Sequence, residues 1–152
     1  MFSVRFRTLA ELVAFLPEDE ALLLDEARCL VLASTSLSTA DTLPELHERI
    51  SYNVPYFRGF RDVCFLWPGS VLWGRKRSYE GVRFGFAQGY LLQDAGGYLD
   101  RGTRKQIFWK DLTTWNPRDE QALRTLLFEA GEVDESLRAG MGAGEKRHSR
   151  FT

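Results

Sequence analysis

Residues 51–73 read SYNVPYFRGFRDVCFLWPGSVLW. The stretch is aromatic and β-branched, and Pro55, Gly59, Pro68 and Gly69 punctuate it. Short runs of that kind between turn residues are strand signals. They predict strands at 52–58, 62–67 and 70–73, with turns around Gly59 and at Pro68–Gly69. The same character continues to Leu112. In 82–87, Val82, Phe84 and Phe86 alternate with Arg83, Gly85 and Ala87, the period of a half-buried strand. A fifth strand is expected at 105–111, where Ile107 and Trp109 alternate less cleanly with Phe108 and Lys110. The long connection before it holds a turn at Asp94-Ala-Gly-Gly97.

Outward from these strands the period changes. Thr8 and Glu11 form a capping box, and Leu9, Leu12, Val13 and Leu16 follow a helical stripe. Pro17 breaks that helix, and Glu18, Asp19 and Glu20 suit the positive dipole end of a second one. The run 21–33 is apolar on most sides, which predicts a largely buried helix. Residues 34–41, STSLSTAD, read as a loop. A third helix is expected from the capping box Thr42 and Glu45, carrying His47 and turning Leu43, Leu46 and Ile50 inward. After the strands, Asn116 and Pro117 are an N-cap and a first helical residue. Leu123, Leu126, Leu127 and Ala130 continue inward, Gly131 is a natural C-cap, and 133–138 adds a further helical turn. Helices, then consecutive strands, then helices describe an α+β domain with an antiparallel sheet of about five strands. One domain spans 1–138, and 139–152 is a Gly-rich polar tail expected to be mobile.

The chain has 152 residues, 44% hydrophobic and 27% charged, which excludes disorder and coiled coil as whole-chain states. Its net charge is −1, so the whole chain is no polycation for nucleic acid. Charge is nevertheless uneven. Residues 58–110 carry 10 basic and 4 acidic side chains, net +6, between two acidic flanks. Such asymmetry bears on partners rather than on fold. No apolar run nears the roughly 20 residues of a membrane span, and Glu11 interrupts the N-terminal apolar stretch. An intracellular, cytoplasmic protein without a membrane partner is expected. Cys29 and Cys64 both lie in apolar runs and read as buried thiols.

Catalytic and metal motifs are sparse. There are two His, and no His-x-x-x-His or Cys-x-x-Cys spacing for zinc. Gly81, Gly85 and Gly89 match neither a dinucleotide fingerprint nor a P-loop, and read as packing glycines. Asp41, Glu45 and Glu48 share one face of the expected third helix, where carboxylates bind a cation weakly or form a solvated face. Basic residues gather at Arg75-Lys76-Arg77 with Arg83, and at Arg101, Arg104, Lys105 and Lys110. Among Trp73, Tyr79, Phe108 and Trp109 they offer charge and stacking surfaces, or protect a hairpin tip and an edge strand.

Three runs together carry a resemblance. Tyr52, Pro55 and Phe57; Gly81, Val82, Gly85, Phe86, Gly89 and Leu92; and Arg104, Lys105 and Gln106 resemble the motifs of the YdhG-like domain-of-unknown-function family. The resemblance covers about residues 8–138. It implies a frataxin-like fold, with helices on one face of an antiparallel sheet. It also implies a small non-catalytic binding protein acting as an iron chaperone toward iron-receiving proteins. Iron is the one cofactor it suggests; no fixed family motif marks its carboxylate ligands, and the candidates are Asp41, Glu45 and Glu48 from the helical spacing above. A second reading comes from the charge layout, since a basic sheet repels a cation. Tyr52, Trp73, Arg83, Gly85, Phe86, Arg104 and Lys105 then form a surface for an anionic partner: a protein, nucleotide or nucleic acid.

Overall fold

The computed structural model describes residues 5–37 and 46–144. Helix α1 (Leu9–Phe15) starts at the expected capping box: Glu11 N–H donates to Thr8 Oγ1, and the Glu11 carboxylate accepts from the Thr8 N–H. Helix α2 (Glu18–Leu37) follows after Pro17 and runs into the segment expected to be a loop. It buries Leu23, Leu24, Ala27, Leu30 and Val31 but leaves Leu22 63% exposed, so it is amphipathic rather than buried all round. Cys29 falls on the outer side and is exposed, whereas Cys64 is buried. The expectation of two buried thiols therefore holds for Cys64 alone.

Five strands form one antiparallel meander in sequence order: β1 (His47–Ser51), β2 (Val54–Arg58), β3 (Asp62–Pro68), β4 (Val82–Phe86) and β5 (Phe108–Leu112). The third helix expected across 42–50 is corrected at its described end. His47, Glu48, Arg49 and Ile50 pair with β2 as an edge strand. The connecting turn explains why. Tyr52 and Asn53 both have positive φ, 55° and 70°, as a type I′ hairpin turn requires, and that turn matches strand twist. Tyr52 is thus a turn residue, not the start of β2. Residues 70–73 are not a strand either; they lie in the long β3–β4 loop. The last strand begins at Phe108, not 105.

Cross-strand partners share a face of the sheet. On the covered face Phe57, Cys64, Phe86 and Phe108 form one row, and Val82 and Leu112 sit opposite each other in another. All are at most 5% exposed. Helices α2 and α3 (Pro117–Gly144) pack there against β3 and against each other. The N-cap of α3 is as expected, with Asp119 N–H donating to Asn116 Oδ1 at 2.9 Å. Its end is not. The helix passes through Gly131 to Gly144, because the buried stripe continues from Ala130 to Asp134. A lone glycine inside a helix costs only about 1 kcal/mol. No helix among the described residues is long and apolar enough to cross a membrane.

Candidate functional site

The opposite face of the sheet carries the row Tyr56, Phe65, Gly85 and Trp109, beside the row Trp67, Arg83 and Asp111. Gly85 is there because Phe65 lies over it. A Cβ at Gly85 would sit 2.1 Å from the Phe65 ring. The aromatic rings form a continuous path. Tyr52 meets Tyr56 at a tilt (centroids 5.7 Å apart), Tyr56 stacks on Phe65 (5.1 Å), Phe65 meets Trp73 (5.9 Å), and Trp73 meets Trp109 (5.1 Å).

Trp73 reaches this face from the β3–β4 loop. A buried carboxylate holds the loop: Glu20 of α2, 1% exposed, accepts from Ser70 N–H, Ser70 Oγ–H and Arg77 at 2.7–3.0 Å. The loop also brings Tyr79 over the sheet, and its phenol donates to the Trp67 carbonyl. Arg83 is consequently only 7% exposed. The expected half-buried strand is covered on both sides. The Arg83 guanidinium donates to both oxygens of Asp111 at 2.7 and 3.0 Å. It lies 3.8 Å from the Tyr79 ring and 3.9 Å from the Trp109 ring. Arg104 lies 3.5 Å from Trp109 and donates to the carbonyls of Ile107 and Asp100.

Of the residues expected to form the anion surface, Tyr52, Trp73, Arg83, Gly85 and Arg104 belong to this face, and Lys105 is exposed just before β5. Phe86 does not. It is fully buried under the helices, since it follows Gly85 and points the other way. Arg83 and Arg104 have their forks engaged by protein oxygens, so this part of the face is aromatic and internally neutralised rather than basic. Gly81 and Gly89 are packing glycines as expected. A Cβ would meet the Leu112 carbonyl oxygen at 1.9 Å in one case and Phe108 at 2.8 Å in the other.

The open part lies on the β1–β2 hairpin side of the face and runs from the Tyr52 turn to the Gly59 turn at the opposite end of β2. There Tyr52 and Tyr56 line a shallow groove of about 430 Å³ above the buried Phe65, and Arg58, Arg61, Gln88, Gln106 and Ile107 complete its lining. Known small-molecule sites span roughly 300–1,000 Å³. Tyr52 is 74% exposed and holds its ring at the groove while its backbone is left-handed. For a bulky residue that conformation costs about 1–2 kcal/mol, a kind of strain that concentrates at ligand sites. Burial, aided by Tyr52 and Asp62, pushes the Tyr56 phenol up to about 12, so it stays a hydrogen-bond donor. Three arginines stand against one carboxylate: Arg49 and Arg58 approach Asp62 at 3.7 and 3.4 Å. Arg61 makes no ion pair among the described residues.

Sequence reasoning missed most of this groove. Tyr56 could have been found by its alternation with Phe57. Arg58 and Arg61 bracket the Gly59 turn. That turn is fixed from α3 by Asp134, 3% exposed, which accepts from Phe60 N–H at 2.7 Å and Arg61 N–H at 2.9 Å. A second open groove, on the other side of the hairpin tip, is lined by Arg5, Arg7 and Asn53 among others.

Of the expected iron ligands, Glu48 alone lies within the described residues. Glu48 sits in β1, and Arg28 of α2 donates to both its oxygens at 2.5 and 2.6 Å. Asp41 and Glu45 lie outside the described residues. No group of three or more His, Cys, Asp or Glu positioned for a metal occurs among the described residues. Comparison of the chain with models of known families, with curated proteins and with solved structures returns no match.

Proposed function

We propose that this chain is a small binding protein that takes an anionic partner on the open, hairpin side of its sheet. The observation that supports the reading is the groove itself. An aromatic lining, a protonated phenol and a surplus of guanidinium groups meet there, at a residue held in a strained backbone. Aromatic platforms edged by arginine suit ligands that combine a planar group with negative charge. The resemblance to the YdhG-like family supports a binding role over a catalytic one. Its iron-chaperone implication draws less support, because Glu48 is already held by Arg28.

The test is calorimetry on the full chain with pyrophosphate, adenosine monophosphate and a glutamate-rich peptide, at low and high salt. Saturable binding of at least one anion is expected, weakening with salt and lost in Arg58→Ser with Arg61→Ser. No binding by any of the three, or binding untouched by that double change, would refute the proposal.

A further inference from the structure

We infer that the occupant of the hairpin groove is a nucleoside monophosphate, its base on Tyr52 and Tyr56 and its phosphate at Arg58 and Arg61. This rests on the reading of the groove as an anion site and goes further by naming the ligand. The argument starts from what is already covered. Trp109 has two guanidinium groups on it, from Arg83 at 3.9 Å and Arg104 at 3.5 Å. Trp67 meets Trp73 at 4.4 Å, and Phe65 is 1% exposed beneath its neighbours. The inner part of the aromatic path is therefore closed to a ligand. Exposed ring surface remains on the hairpin side, chiefly on Tyr52. That is a platform for one base, not for a strand of several. A long single strand needs a stacking surface for each successive base.

The groove walls match the rest of such a ligand. Arg61 is exposed and without an ion pair among the described residues, and Arg58 shares Asp62 with Arg49. Guanidinium forks take phosphate in two parallel hydrogen bonds. In the same lining, the Gln106 amide makes only long contacts, 3.3 Å to Gln88 Oε1 and 3.4 Å to the Ala87 carbonyl. A carboxamide carries a donor and an acceptor side by side, the pattern that a base edge accepts. A glutamate-rich peptide would engage the arginines with its carboxylates and the amides with its backbone, but would leave the tyrosine platform unused.

The experiment titrates the full chain with adenosine monophosphate, adenosine, ribose phosphate and a glutamate-rich peptide, following heat and backbone amide shifts by NMR. Adenosine monophosphate should bind best, with ribose phosphate weaker by about tenfold or more because it lacks the stacked base, and adenosine weaker because it lacks the phosphate that the guanidinium forks take. Tyr52→Asn suits the left-handed turn position while deleting the ring. It should weaken adenosine monophosphate by about tenfold and leave ribose phosphate unchanged. Tyr56→Leu keeps an apolar filler and should act likewise if the first variant misfolds. Arg61→Ser should weaken both phosphates and spare adenosine. Ribose phosphate binding as tightly as the nucleotide would overturn the inference while leaving the anion site standing. The peptide binding best would overturn it in favour of an acidic protein partner. Amide shifts confined to Arg5 and Arg7 would move the site to the other groove. No binding by any probe would remove both readings.

Discussion

Replacing Gly85 with alanine probes the arrangement that builds the open face. The added Cβ would lie 2.1 Å from Phe65 Cζ and 2.5 Å from Cε1 and Cε2. Carbon atoms rest about 3.5–4.0 Å apart, so the ring must retreat by more than about 1 Å. It has little room to do so. Phe65 is 1% exposed, with Tyr56 stacked at 5.1 Å and Trp73 and Trp67 near 6 Å. Overpacking costs about 1–3 kcal/mol, and each disturbed aromatic pair adds about 0.5–1.5 kcal/mol. A loss of about 3 kcal/mol is expected. With a urea slope of about 2 kcal/mol/M, the unfolding midpoint should fall by about 1.5 M. Chemical denaturation read by tryptophan fluorescence measures it. In a double-mutant cycle Phe65→Leu should recover about 1–2 kcal/mol of the Gly85→Ala loss, as expected for residues in direct contact. A Gly85→Ala protein within about 0.5 kcal/mol of the parent, the spread of inconsequential surface changes, would refute the reasoning. So would strict additivity with Phe65→Leu.

Other expectations follow from the same contacts. Asp134→Ala strands the buried-side N–H groups of Phe60 and Arg61 and should cost about 2–4 kcal/mol; Asp134→Asn, which keeps one acceptor, should cost less in the same denaturation assay. Burial holds the phenols of Tyr56, Tyr79 and Tyr98 above their ordinary 10.0, with a hydrogen bond to Asp119 adding at Tyr98. The unfolded chain ionises these groups first, so their contribution to stability is complete below pH 10 and is lost as pH rises from about 10 toward 12 and beyond. Ultraviolet titration of the folded protein should show three late-ionising tyrosines. A thiol reagent should label Cys29 in the native state and Cys64 only on unfolding, because burial pushes the Cys64 thiol up and shields it; mass spectrometry counts the labels.

The parts of this fold that were legible in the sequence are those set by local chemistry. The Thr8–Glu11 box and the Asn116–Pro117 start appear as written, because caps are satisfied within a few residues. Four strands were visible through alternation and turn residues. The strand β1 was not, because the Thr42–Glu45 pattern reads as a helix continuing to Ile50, while His47–Ser51 gains its partners only across the hairpin. Gly131 looked like a helix end because the packing that carries α3 past it comes from elsewhere in the fold. The candidate site divides the same way. Period-two reading grouped Arg83 and Gly85 on one face, yet could not show that Trp73 and Tyr79 return over them or that Asp111 takes the Arg83 fork. Arg58 and Arg61 carried no motif. Their position depends on Asp134, more than 70 residues later in the chain.

The central claim is that the hairpin side of the sheet is where this protein meets its ligand. Amide shift mapping of the full chain with adenosine monophosphate tests it most directly. The account predicts saturable shifts at Tyr52, Tyr56, Arg58, Arg61, Gln88 and Gln106, weakened in Arg61→Ser and lost in Arg58→Ser with Arg61→Ser. Shifts absent from those residues at millimolar nucleotide, or unchanged in Arg61→Ser, would contradict it.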